Sequence, residues 1–169
     1  MERKQILIAI GMASAAIIAL VAVSIVLRQP APAQSVDSVS AVLDAVRWLA
    51  VPGLCLLVGV GATANRRFFL PEAIDGDAVP ESRAFEINQR YNRNTLEQAV
   101  LAAIAWLGLA VAMPDRAGAL TPVLAGLFAL GRATFWIGYL VAPWARAFGF
   151  ALTFYPTAVA IVWLASRLV

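Results

Sequence analysis

Hydrophobic residues fill five long stretches of this chain, and short polar segments separate them. A helix needs about 20 consecutive apolar residues to cross the hydrocarbon layer of a membrane. The pattern therefore predicts five membrane-spanning helices and no separate soluble domain. The predicted spans are residues 6–27, a second around residues 48–64 that starts near residue 43, and residues 95–113, 117–140 and 147–166.

The first stretch has features of both a cleaved signal peptide and a retained anchor. Its basic start, with Arg3 and Lys4, and the later Ala31-Pro32-Ala33 fit a signal peptide. The apolar run of residues 6–27 is longer than the roughly 7–15 residues of a signal-peptide core. We therefore expect a retained anchor helix, which divides the chain into an anchor and linker, residues 1–42, and a bundle, residues 43–169.

Composition supports a membrane protein and narrows its chemistry. The chain is 62% hydrophobic and 14% charged, against about 25% charged residues in an average soluble domain. The basic residues lie at the ends of the apolar runs rather than in one patch, so nucleic-acid binding is not expected. With no histidine and one cysteine, Cys55, a histidine-based triad or metal site is excluded and no metal is expected.

Basic residues in the short loops predict the orientation, because Arg and Lys favour the cytoplasmic side of a membrane. In a five-span arrangement one side holds Arg3 and Lys4, the solvated segment of residues 69–82 with its flanking arginines, and Arg146. We expect this side to be cytoplasmic. The opposite side holds Arg28, Arg47, Arg116 and Arg167.

Polar side chains cluster where the third span begins. Arg90, Asn94 and Glu97 are spaced i, i+4 and i+7, which places them on one face of a helix. An acid at this depth is costly unless it is paired or functional. Two structural explanations stay open: Asn94 and Glu97 could form a capping box, or Glu97 could pair with a buried Arg132 and hold the bundle together.

The end of the fourth span carries a matching set of polar residues. Arg132 and Tyr139 are seven residues apart and share a helix face, and Arg146 follows after another seven. Arg66 and Arg67 end the second span on the same side. Several cations, one acid and one phenol at one membrane depth suit a small zwitterionic or polyanionic ligand.

Three motifs of the chain carry a family resemblance. They are Phe85-Glu86-x-x-x-Arg90-x-x-x-Asn94-x-x-Glu97, Arg132-x-x-Phe135-x-x-Gly138-Tyr139 followed by Arg146, and Ala64-Asn65-Arg66-Arg67-Phe68-Phe69. They resemble motifs of the MAPEG family, the membrane-associated proteins of eicosanoid and glutathione metabolism, and the first two occur in that family's order and spacing. The resemblance extends from about residue 43 to the C-terminus.

The resemblance implies an all-α membrane bundle with a four-helix core, preceded here by one extra N-terminal helix. It further implies a homotrimer with a glutathione site between neighbouring subunits near the cytoplasmic surface. Arg90 and Asn94 would hold carboxylate and backbone groups of glutathione, Glu97 would receive its ammonium, and Arg146 would lie beside its sulfur as the catalytic residue. The other expected binding residues are Arg66, Tyr139 and Arg132.

Glutathione fits these roles, since arginine suits its carboxylates and a cation beside its thiol favours the nucleophilic thiolate. Phe135 and Gln98 stand where leukotriene-forming members carry tyrosines. A general detoxifying transferase or peroxidase, or a bacterial relative with another ligand, tolerates these changes better than a leukotriene synthase does.

We therefore expect a glutathione transferase or peroxidase-like protein of a bacterial cytoplasmic membrane. Its second substrate would be a lipophilic electrophile that enters from the bilayer. The alternative is a non-catalytic protein with the MAPEG fold, acting as a lipid-binding or scaffolding subunit of a larger assembly.

Overall fold

The computed structural model describes residues 2–69 and 83–168 of the chain, and within them the regular structure is entirely α-helical. Apolar runs and helix-favouring residues form long helices because a bilayer offers backbone groups no hydrogen-bond partners other than their own. The helices are α1 (Arg3–Arg28), α2 (Ser38–Trp48), α3 (Ala50–Phe68), α4 (Arg83–Ala112), α5 (Pro114–Val141) and α6 (Arg146–Ala165).

Five helical segments in the described part of the chain are long and apolar enough to cross a membrane. They are α1, α2 together with α3, α4, α5 and α6, which confirms the predicted all-α membrane bundle. The second span begins at Ser38, earlier than predicted. Asp37 caps α2 at that point, because its carboxylate accepts a hydrogen bond from the backbone N–H of Ser40 at 3.0 Å.

Helix α4 begins at Arg83, well before the predicted start of the third span at residue 95. Counting about 20 residues back from Ala112 reaches Arg93, so the polar first part of α4 projects beyond the hydrocarbon layer. Hydropathy detects only the part of a helix inside the membrane. Because Asn94 lies in the interior of α4, the capping-box explanation is wrong.

The turns between helices follow the sequence closely. A turn at Ala142-Pro143-Trp144 separates α5 from α6. The turn between α4 and α5 falls at Met113, and the Asp115-Arg116 pair lies in the first turn of α5. The predicted loop of residues 69–82 lies outside the described residues except for Phe69.

Asp115 and Arg116 fasten the linker between α1 and α2 to α5. The Asp115 carboxylate accepts a hydrogen bond from the backbone N–H of Val36 at 2.7 Å. The Arg116 guanidinium donates to the backbone carbonyl of Gln29. These contacts join the C-terminal end of α1 to the N-terminal end of α5.

Helices α5 and α6 approach each other closely through glycine. A Cβ atom added to Gly149 would lie 2.3 Å from the backbone N of Phe135, and one added to Gly138 would lie 2.7 Å from the backbone N of Arg146. Side chains larger than hydrogen are therefore excluded from both positions. This contact sets the first turn of α6, with Arg146, against the last turn of α5.

The N-terminal helix α1 packs onto the outside of α5 and α6. Ala15 and Ala19 of α1 are buried against Leu127, Ala151 and Leu152. Small residues on α1 allow this approach, as at other helix contacts in membranes.

Candidate functional site at the arginine-rich end

Arg132 of α5 lies inside the bundle and has no exposed surface. Its guanidinium donates hydrogen bonds to the Asn94 side-chain oxygen at 2.7 Å, the Thr153 hydroxyl at 2.6 Å and the Gly149 carbonyl at 3.3 Å. Its Nε has no acceptor among the described residues. A buried cation is costly unless such bonds replace water, so this network ties α4, α5 and α6 together.

Aromatic rings also surround the Arg132 charge. The guanidinium carbon lies 4.7 Å from the centre of the Phe135 ring and 5.7 Å from that of Phe128. The negative faces of aromatic rings attract cations, and more strongly where water is absent. Phe135, which departs from the tyrosine of leukotriene-forming members, therefore packs against the buried charge.

Glu97 is not the partner of Arg132, so the explanation that this pair holds the bundle together is wrong. Among the described residues no salt bridge joins them, and Glu97 is exposed on the outside of α4. Three residues along a helix correspond to a rotation of about 60° from the starting face. Asn94 is partly buried and reaches Arg132, and the rotation leaves Glu97 pointing outward.

Arg146 begins α6 and lies over the ring of Tyr139. The guanidinium carbon is 4.6 Å from the ring centre, and Tyr139 is itself 5% exposed. The Tyr139 ring packs edge-on against Phe135 at 5.2 Å. Because Phe135 also contacts Arg132, one aromatic pair separates the buried arginine from the partly buried Arg146.

Arg90 is close enough to Arg146 for their positive charges to interact. Arg90 pairs with Glu86 one turn earlier on α4, and both side chains are exposed. No salt bridge joins Arg146 to a carboxylate in the described part of the chain. We refer to Arg90, Tyr139 and Arg146 as the basic face. Of its two cations, Arg90 is paired with Glu86, whereas Arg146 has no carboxylate partner among the described residues.

The remaining predicted residues occupy the same end of the bundle. Arg66 is exposed in the last turn of α3. Its neighbour Arg67 lies over the ring of Phe85 at 5.6 Å. The structure thus brings Asn94 together with Arg132 and Tyr139 together with Arg146, and it places Arg90 within electrostatic range of Arg146. It shows no contact of Arg66 or Glu97 with either group.

Sequence reasoning missed the contacts that fix α4 against α3. The Asn92 amide donates to the Gly59 carbonyl at 3.2 Å and to the Thr63 hydroxyl at 3.0 Å. The Tyr91 hydroxyl donates to the Cys55 carbonyl at 3.1 Å. Gly59 and Thr63 lie one turn apart, and small residues at this spacing are typical of close helix contacts in membranes, although they do not identify Tyr91 and Asn92 as the partners.

Sequence reasoning also missed Thr153 as a partner of Arg132. Thr153 lies 2% exposed in α6, where an apolar residue would be expected at that depth. A threonine can satisfy its hydroxyl within its own helix, as Thr157 does by donating to the Thr153 carbonyl. Its presence in the sequence therefore gave no specific signal.

The fold and this site define an integral, multi-pass helical membrane protein with a cationic cluster at one end of its bundle. The chain belongs to the MAPEG family, whose family model matches residues 43–166. The family resemblance of the sequence motifs is thereby confirmed.

The chain is also similar to two proteins named Transmembrane protein 79, from Mus musculus and Bos taurus. Each is 32% identical over 81 residues, which is 48% of this chain. The match covers 21% of the mouse protein and 20% of the bovine protein, so the chain spans about a fifth of these relatives. No solved structure matches the chain.

Proposed function

We propose that this protein is a membrane glutathione transferase or peroxidase that conjugates the glutathione thiolate to lipophilic electrophiles. The observation that carries the proposal is Arg146, held over Tyr139 beside Arg90 and without a carboxylate partner among the described residues. A guanidinium that has no carboxylate partner and lies within electrostatic range of a second cation favours an anion beside it. A thiolate next to Arg146 would supply that charge.

Arg90 would bind a glutathione carboxylate and Glu97 its ammonium, with Arg66 as a further carboxylate contact. Asn94 would contact the backbone of the ligand through its amide group. Arg132 would position Asn94 through their 2.7 Å hydrogen bond. Glutathione binding would therefore depend on Asn94, whose side chain is already held in place by Arg132 inside the bundle.

In the transferase reaction the thiolate sulfur attacks an electrophilic carbon. A sulfur–carbon bond forms, and the leaving group departs with its electron pair. In the peroxidase reaction two glutathione thiols are oxidised to a disulfide, while a lipid hydroperoxide is reduced to an alcohol and water. In both reactions Arg146 acts by raising the fraction of thiol present as thiolate.

A trimer accounts for the position of Glu97. This carboxylate is exposed on α4 and lies within about 20 residues of Ala112, inside the span of the hydrocarbon layer. A charge that faces lipid is unfavourable, although Glu97, about four residues inside the hydrocarbon edge, costs less than a charge at the helix centre would. A neighbouring subunit that covers Glu97 would remove this cost and complete the site. The arginine-rich end would face the cytoplasm of a bacterial inner membrane.

A melting experiment on the purified protein in detergent tests the ligand. Glutathione that binds the folded state must raise the melting temperature, because mass action stabilises whatever binds. We expect a rise at millimolar glutathione in the wild type and in Glu86→Gln, and none in Glu97→Gln. No rise in the wild type would contradict glutathione binding.

The alternative, a non-catalytic lipid-binding or scaffolding subunit, is supported by the Arg132 network. Asn94 and Arg132 are bonded to each other inside the bundle, which is the arrangement of a structural network. On this alternative, glutathione would bind neither the wild type nor Glu97→Gln and would leave the oligomeric state of both unchanged. Native mass spectrometry of the wild type and of Glu97→Gln, each with and without glutathione, therefore distinguishes the transferase from the scaffolding subunit.

A further inference from the structure

An apolar groove of about 410 Å³ lies between α1 and the rest of the bundle. It falls in the range of about 300–1,000 Å³ that is typical of small-molecule sites. Helices α1, α4, α5 and α6 all contribute to its walls, and none of the lining residues is charged. Among them are Leu20, Val23, Leu124, Tyr155, Val159 and Trp163.

The groove lies toward the end of the bundle opposite the basic face. Its wall includes the last residues of α1 and α4, the start of α5 and the second half of α6. It therefore shares no residue with the proposed glutathione site. One wall comes from α1, which lies outside the residues matched by the family.

Arginines stand at this end of the groove. Arg28 directly follows the lining residue Leu27, and both Arg28 and Arg167 are exposed. The Arg167 guanidinium carbon lies 4.8 Å from the ring centre of the lining residue Trp163. The groove is thus apolar along its length and positively charged at one end, where Trp163 also lies. A phospholipid has the complementary pattern, because its acyl chain would fill the apolar part and its phosphate would lie at the arginines.

We infer that this groove binds one acyl chain of an anionic membrane phospholipid, whose headgroup lies at Arg28 and Arg167. The chain fills space between α1 and the α4, α5 and α6 helices. Dispersion contacts with the lining side chains hold it, and the two arginines select the negative headgroup. The lipid thereby adds to the packing of the N-terminal helix on the family core.

Quenching of Trp163 fluorescence by lipids with brominated acyl chains tests this inference. The full-length protein is placed in phosphatidylcholine vesicles that contain a minor fraction of brominated phosphatidylglycerol or brominated phosphatidylcholine. The Trp163 signal is the difference between the wild type and Trp163→Phe. We expect brominated phosphatidylglycerol to quench this signal at lower mole fraction than brominated phosphatidylcholine.

Variants at the mouth define the headgroup contact. Arg28→Gln and Arg167→Gln should each lower the relative affinity for phosphatidylglycerol about fivefold. Arg93→Gln, an exposed arginine at the other end of the bundle, is the matched control and should leave the affinity unchanged. Ala16→Phe, which fills the groove from α1, should abolish the preference.

Two results would overturn the inference. Equal quenching of Trp163 by the two brominated lipids would mean that the groove has no preference for an anionic headgroup and that Trp163 contacts only the bulk lipid around the protein. Absence of Trp163 quenching by both would mean that protein, such as a second copy, covers the groove. Because the arginine variants change exposed side chains, they decide the question even where Ala16→Phe does not fold.

Discussion

Arg132 and Arg146 are fourteen residues apart and share aromatic neighbours, yet their surroundings differ. Arg132 is fully buried and donates hydrogen bonds to three groups of the protein. Arg146 is partly exposed, stacks on Tyr139, and has a second cation nearby. The difference is that Arg132 has internal acceptors and joins three helices, whereas Arg146 has an aromatic face and a like charge nearby, and we propose that it binds an external anion.

Replacement of Arg132 should have the largest effect. Arg132→Ala leaves the buried acceptors of Asn94, Thr153 and Gly149 without this donor, and each buried polar group left unsatisfied costs about 1–3 kcal/mol. Arg132→Lys keeps the charge but loses the planar fork, so it should recover only part of that stability. Unfolding in a denaturing detergent titration measures both.

Arg146→Ala is the matched control for Arg132→Ala. Among the described residues the Arg146 side chain donates no hydrogen bond, so its replacement leaves no buried acceptor unpaired. The loss of its contact with the Tyr139 ring should change the free energy of unfolding by less than about 1 kcal/mol. Equal destabilisation by the two alanine variants would remove the distinction between the two arginines.

Gly149→Ala should have the next largest effect, because the new Cβ would lie 2.3 Å from the backbone N of Phe135 and must push α5 and α6 apart. Overpacking of this kind costs about 1–3 kcal/mol. It would also displace Arg146 from Tyr139. Thermal unfolding in detergent measures the loss.

Gly126→Ala is the control for Gly149→Ala, because a Cβ atom added at Gly126 would have no other atom within 4 Å. Alanine in place of glycine inside a helix gains about 0.5–1 kcal/mol. A Gly149→Ala protein that melts at or above the temperature of Gly126→Ala would contradict the close contact of α5 with α6.

The smallest effect is expected at Asp37, an exposed cap. The hydrogen bond from Ser40 lowers the pKa of the Asp37 carboxyl, so its contribution is present at neutral pH and is lost as the pH falls through the lowered pKa. Asp37→Ala should lower the melting temperature slightly at neutral pH and have less effect in acid. Asp37→Asn, which caps without titrating, should remove the pH dependence; an unchanged pH dependence in Asp37→Asn would contradict the cap.

The fold could be predicted from hydropathy because the bilayer demands long apolar helices. The start of α4 could not, since Arg83 to Arg93 extends beyond the hydrocarbon and carries no hydropathy signal. The motif spacing correctly placed Arg90, Asn94 and Glu97 on one helix, and it predicted that they share one face of it. It could not show that Asn94 turns inward and Glu97 outward, because that depends on how α5 approaches α4 and thus on Arg132.

The partners of Arg132 illustrate the same limit. A charge inside a span signals that partners exist, and Glu97 was the acidic candidate in the sequence. The bundle instead supplies a neutral amide, a hydroxyl and a backbone carbonyl from two helices. Neutral acceptors of this kind are common along membrane helices, so only the three-dimensional packing identifies which of them the cation reaches.

The central claim is that Arg146 stabilises a bound thiolate, and the pKa of the glutathione thiol bound to the protein tests it most directly. Ultraviolet difference absorbance of the thiolate, followed across pH, gives that pKa for the wild type, Arg146→Ala and Arg93→Gln. We expect a bound thiol pKa well below the value of about 8.5 for a free thiol in the wild type and Arg93→Gln, and a return toward it in Arg146→Ala. A bound thiol whose pKa is the same with and without Arg146 would contradict the claim.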